Sequence, residues 1–154
     1  MNRGTVLKLF HSHRDRLIRE LGRQALDSDQ INEVGRREFR KRWGGVYDQS
    51  TWQPQPNRFY VVNTARTVNS PGYHWVGIYV SPSGIATAYD SFGRNVHKLL
   101  FVANHTAKKL LHHTLQGTDP KPEQRGRSQI CGDLSLAFLL TVRDLGVRAV
   151  AGVV

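Results

Sequence analysis

Cysteine is nearly missing from this chain. Cys131 is the single one in 154 residues, so no internal disulfide can form. That excludes a disulfide-framed secreted scaffold and fits a reducing compartment or a working thiol. Long apolar runs are missing too. Residues 99–103 and 136–140 are the longest, far short of the roughly 20 needed to cross a bilayer. Near the N-terminus Arg3, Lys8, Arg14 and Arg16 stand without an apolar core among them, so no secretory leader is expected. The expectation is an intracellular protein that is neither secreted nor held in a membrane. No internal repeat, low-complexity tract or linker is visible, and with 39% hydrophobic residues the chain can build one core. A single domain over residues 1–154 is expected.

Acidic residues are scarce: 12 Asp and Glu stand against 22 Lys and Arg, a formal charge of +10. The excess is spread evenly, with eleven basic and six acidic groups in residues 1–42 and the same numbers in the remainder. A molecule-wide positive field favours polyanions, with nucleic acid the leading partner and an acidic membrane surface the second. Binding of that kind is salt dependent and weak in sequence preference.

Turning to what is present, residues 5–26 place Leu7, Phe10, Leu17, Leu21 and Ala25 at helical spacing. A second helix is expected from Ser28 or Asp29 as N-cap toward Trp43, carrying Ile31, Val34 and Phe39. Its end is densely basic, with Arg36, Arg37, Arg40, Lys41 and Arg42 interleaved by Phe39 and Trp43, and this run is the expected nucleic-acid contact. Gly44, Gly45 and residues 53–57 read as turn and loop. Residues 59–64, 74–80 and 85–89 read as strands, the last two forming a hairpin about residues 81–84. Residues 95–116 return to helix period, 117–129 are a polar loop, and 131–145 are a buried helix. The fold class is α+β, with a mixed or antiparallel central sheet flanked by helices. Residues 1–45 form a basic helical part, 59–93 the strand meander, and 95–154 the later helices.

Cys131 opens the most apolar helix, where the dipole and unpaired backbone N–H groups favour negative charge on sulfur. Gly132 beside it leaves room for a substrate backbone. A thiol nucleophile needs a base and an orienting group. Of seven histidines, His11, His13, His97, His105, His112 and His113 lie on helices or near their ends and read as surface groups. No metal site is expected. His74 differs: it starts a strand, after the turn at residues 70–72, and Trp75 follows it. The hairpin would bring Asp90 back to His74, where a carboxylate fixes the ring tautomer and stabilises the imidazolium.

Several segments resemble the adenain family, the adenovirus-type maturation proteases. Val61-Val62-Asn63-Thr64-Ala65 followed by Tyr73-His74-Trp75 is similar to the strand entering that family's active site. Tyr89-Asp90-Ser91-Phe92-Gly93 resembles its acidic motif, and Gln124, six residues, then Cys131-Gly132 match its glutamine-to-cysteine spacing. Gly45-Val46-Tyr47-Asp48 also resembles a family segment. The likeness covers about residues 40–145 in the same order.

The resemblance implies an adenain-like fold and a cysteine endopeptidase. Cys131 would be the nucleophile, His74 the base and later acid, and Asp90 the orienting carboxylate. Gln124 and the backbone N–H of Cys131 would form the oxyanion hole, with Trp75 and Gly132 as substrate-site neighbours. It further implies viral precursor proteins as substrates, maturation in the virion and infected nucleus, and DNA or a peptide as activator, with no cofactor needed for the chemistry itself. A disulfide-linked peptide activator is not expected, because no second cysteine exists. Fewer residues follow Cys131 than in adenain. Two other readings stay open: a SUMO- or ubiquitin-specific isopeptidase of the same clan, and an inert basic DNA-packaging protein. The Gln124-to-Cys131 spacing and Asn63-Thr64-Ala65 favour the viral branch.

Overall fold

The computed structural model describes residues 2–65, 74–124 and 129–154. The turn at 70–72 and Tyr73 lie outside the described residues. Helix α1 (Arg3–Leu21) starts where Asn2 accepts the Thr5 N–H at 2.8 Å, and it buries Val6, Phe10, His13 and Leu17 at spacings of three and four. It stops five residues short of the expected end, because Gly22 turns the chain with φ of 88°. Helix α2 (Ser28–Phe39) is capped by Asp27 and not by Ser28 or Asp29. The Asp27 carboxylate accepts the Gln30 N–H, and the Gln30 side chain accepts the Asp27 N–H. A 3-10 turn over Arg40–Arg42 leads into the sheet.

The sheet holds β1 (Trp43–Asp48), β2 (Arg58–Asn63), β3 (Trp75–Val80), β4 (Ala86–Tyr89) and β5 (Gln116–Gly117), in that spatial order. The inner pairs β2–β3 and β3–β4 are antiparallel, while the outer pairs β1–β2 and β4–β5 are parallel. The architecture is therefore α+β with a mixed sheet, as composition and order predicted. Strand β1 corrects one expectation. Gly44 and Gly45 lie in a strand and not in a turn, with a register shift between Trp43 and Gly45. Glycine is needed there because the Tyr60 ring covers position 44, and a Cβ would fall 2.2 Å from its edge.

The expected helix over 95–116 is two: α3 (Val96–Leu100) and α4 (His105–Leu111). Asn104 makes the break. Its carbonyl oxygen caps the Ala107 N–H, and its amide donates to the carbonyls of Gln49 and Trp52, both at 2.7 Å. Helix α5 (Cys131–Leu145) begins where the sequence placed it, and α6 (Val147–Ala151) follows. No described helix is long and apolar enough to cross a membrane.

Side chains of β2 alternate between two cores. Phe59 and Val61 join α1, α2, α5 and α6 on one face, while Tyr60 and Val62 join α3 and α4 on the other. Helix α5 packs directly on β3 through Gly77. A Cβ at residue 77 would sit 2.9 Å from the backbone oxygen of Ser135. The Ser135 hydroxyl donates to the Trp75 carbonyl at 3.0 Å, pinning the same contact. We expect Gly77→Ala to lower stability by about 1–3 kcal/mol, the usual cost of overpacking, as read from urea unfolding. An unchanged midpoint would show that helix and strand can part at no cost.

Candidate active site

The end of the sheet collects the chemistry. His74 stands just before β3 and Asp90 just after β4. The antiparallel register, with Gly77 opposite Tyr89, carries both to the same margin. His74 Nε2 contacts Asp90 Oδ1, so Nδ1 is the ring nitrogen left for Cys131, which also interacts with this imidazole. Cys131 is the first residue of α5 and 7% exposed, at the floor of a cleft of about 760 Å³. His74, Trp75, Phe92, Arg94 and Gln124 line that cleft with it. The four residues His74, Asp90, Gln124 and Cys131, separated by up to 57 positions, thus share one region.

Asp90 is 3% exposed and has a second partner that the sequence reading missed. Arg94 donates its backbone N–H at 2.8 Å and its Nε at 3.0 Å to Oδ2, and its guanidinium lies over the Phe92 ring. The signal was the four-residue separation of an acid and a base. Burial pushes the Asp90 carboxyl upward, but the hydrogen bonds from His74 and Arg94 outweigh it and hold the pKa well below the usual range. Burial likewise disfavours the His74 imidazolium, yet hydrogen bonding to Asp90 and Cys131 overcomes this and raises its pKa. The signs follow. Charged His74 contributes stability below pH ~6.5 that is lost as pH rises through its raised value. Ionised Asp90 contributes above pH ~4 and loses that contribution as pH falls.

Gln124 is 3% exposed and its Oε1 accepts the Ser91 hydroxyl at 2.5 Å. Trp75 does not lie loose over the histidine: its indole N–H donates to the Leu26 carbonyl at 3.0 Å and ties β3 to the α1–α2 connection. Gly132 is buried and has a packing role. A Cβ there would meet Leu26, which also lines the cleft, and Ile31, at 3.3 and 3.4 Å. Among the described residues no group of three His, Cys, Asp or Glu side chains is placed to hold a metal ion.

The basic run sits elsewhere. Trp43 pairs with Phe59 and Asn63 with Trp75, so Arg40, Lys41 and Arg42 lie at the opposite end of β2 from His74. Arg36, Arg37, Arg40 and Lys41 are exposed. Arg37 is held by Glu20 through two bonds, and Arg42 lies over the Phe59 ring. The interleaved aromatics are not a stacking platform. Phe39 is 4% exposed and stacks on Trp43 and Phe59 within the core. A second cationic surface went unread. No Asp or Glu occurs in residues 91–118, which contain Arg94, Lys98, Lys108, Lys109 and four histidines. Lys98, Lys108 and Lys109 are exposed and form no ion pair among the described residues.

Asp133, in the first turn of α5, is fully buried, and neither carboxylate oxygen has a hydrogen-bond partner among the described residues. Burial pushes its pKa up to about 7. The folded protein holds this proton where the unfolded chain has released it, so stability falls as pH rises from ~4 to ~7, by on the order of 4 kcal/mol. We expect Asp133→Asn to remove that loss. Urea unfolding of both proteins from pH 4 to 8 measures it, and a difference constant with pH would refute the assignment.

No family model, curated protein or solved structure matches this chain.

Proposed function

We propose that the chain is a cysteine endopeptidase of the adenain-like type, with Cys131 as nucleophile. The observation that carries this reading is the contact of buried Asp90 with His74, which lines the same cleft as Cys131. A carboxylate that keeps a histidine oriented and basic, next to a lone thiol at a helix N-terminus, suits acyl transfer.

The steps balance as follows. The Cys131 sulfur attacks the substrate carbonyl carbon while the thiol proton passes to His74 Nδ1. The carbonyl oxygen becomes an oxyanion, stabilised by the Gln124 amide and the Cys131 backbone N–H. Collapse expels the amine, which takes the proton from His74 and leaves a thioester. Water then attacks the thioester, gives its proton to His74, and the acid product departs as the thiol re-forms. Asp90 stays ionised throughout, compensating the imidazolium at each step. The substrates are precursor proteins of a DNA virus, processed in the virion or infected nucleus. A SUMO- or ubiquitin-directed isopeptidase and an inert packaging protein are the competing outcomes.

Alkylation by iodoacetamide tests the pair directly. Cys131 is expected to react at neutral pH, and His74→Ala to slow that reaction at least tenfold. Equal rates in the two proteins would remove the base from the mechanism. Capture of the thiol by a ubiquitin vinyl probe would move the assignment to the isopeptidase.

The positive charge supports a nucleic-acid partner, and the acid-free surface of α3 and α4 is better suited to it than the 36–42 run, which shares its helix with Asp29, Glu33 and Glu38. Each lysine at a phosphate contributes about 0.9 to the slope of log affinity against log salt. Replacing Lys98, Lys108 and Lys109 by alanine should therefore reduce that slope by nearly 3 on random-sequence duplex DNA, and replacing Arg36, Arg40 and Lys41 by clearly less. The reverse order would return the interface to α2.

A further inference from the structure

We infer that Ser91 is the positioning residue of the oxyanion hole: its hydroxyl takes the carbonyl end of the Gln124 amide and so turns the donating end toward the reacting centre. The inference rests on the peptidase reading above and adds to it a residue without chemistry of its own. An amide is nearly symmetric in shape but opposite in polarity at its two ends. A Gln whose oxygen faced the developing oxyanion would repel it, so which way the group is turned decides whether it assists catalysis at all. Gln124 lies in no helix or strand, so no regular element orients its side chain.

Ser91 supplies a constraint three times. Its hydroxyl meets Gln124 Oε1 at 2.5 Å. An amide nitrogen has no lone pair to accept this proton, so the donating hydroxyl takes the carbonyl oxygen of the amide. The Ser91 carbonyl accepts the backbone N–H groups of Glu123 at 2.9 Å and Gln124 at 3.1 Å. Both side chains are almost fully enclosed, Ser91 at 0% and Gln124 at 3% exposure, so water does not compete for the bond. Ser91 also adjoins Asp90 in the chain. The peptide that carries the orienting carboxylate thus carries the group that orients the oxyanion donor, and base and hole are held in one register.

Two reactions of the same thiol separate this role from a structural one. Alkylation by iodoacetamide displaces iodide and forms no oxyanion, whereas acylation by p-nitrophenyl acetate passes through one. Ser91→Ala is expected to leave alkylation within about twofold of the wild type. The limiting rate of acylation should fall about tenfold to a hundredfold, with the half-saturating ester concentration unchanged, part of the loss known for removing one oxyanion donor. Added to Gln124→Ala, it should have little further effect, because the group it positions is gone. Gln124→Glu keeps an oxygen for Ser91 but loses the donor, and should acylate as slowly as Gln124→Ala.

Equal losses in both reactions, additive losses in the double variant, or normal acylation by Gln124→Glu would each overturn the assignment. Should Ser91→Ala not fold, the Gln124→Glu result decides alone. A wild type with no His74-dependent acylation of Cys131 would overturn the peptidase reading as well. A wild type that acylates, slows with Gln124→Ala and ignores Ser91→Ala would overturn this inference only.

Discussion

The contact between Gly77 and the backbone of α5 is the constraint from which the rest follows. A strand and a helix with ordinary side chains stand about 10 Å apart, and here a missing Cβ lets them close further, with Ser135 bonded to the Trp75 carbonyl. Cys131 lies one helical turn before Ser135, and His74 lies three residues before Gly77. The reach from thiol to imidazole is therefore set by two rigid elements and not by a loop. The same closeness seals the core between α5 and the sheet, where Leu134, Ala137 and Phe138 are fully buried. Packing and site geometry are consequences of one missing methyl group.

Two buried carboxyls in this site are treated in opposite ways, and the contrast explains their electrostatics. Asp90 is desolvated but meets an imidazole, a guanidinium and a backbone N–H, so its charge is retained. Asp133 is desolvated with no hydrogen-bond partner among the described residues, so its proton is held up to about pH 7. Below pH ~7 its neutrality in the first turn of α5 spares the helix terminus a negative charge two residues from the sulfur. Burial alone does not fix ionisation; the hydrogen-bond donors within reach do.

Features governed by local chemistry were legible in the sequence. A polar loop before an apolar run announced Cys131 as the start of a helix. The Ser81-Pro82-Ser83-Gly84 turn announced the hairpin that carries His74 and Asp90 to one margin. What escaped depends on contacts distant in the chain. Gly44 and Gly45 are a turn by composition and a strand because β1 pairs with β2, whose Tyr60 lies across Gly44. Asn104 breaks a continuous helical pattern because Gln49 and Trp52, more than fifty residues earlier, hold its amide. Phe39 and Trp43 resembled an interface because basic residues surround them, yet their partner is Phe59 in β2. Arg94 and Ser91 are ordinary turn residues until Asp90 and Gln124 are placed beside them.

The packing of α1 against α5 also bears on how the molecule comes into being. The apolar stripe of α1 faces a helix that follows all five strands in the chain. During synthesis Val6, Phe10 and Leu17 emerge before α5 and stay uncovered until it arrives, and pairings this distant form slowly. The nascent chain is accordingly adhesive, a natural client for chaperones. The sulfur and the imidazole meet through a separate contact of the same helix, that of α5 with β3. One helix thus both covers the apolar stripe and carries the sulfur to the imidazole.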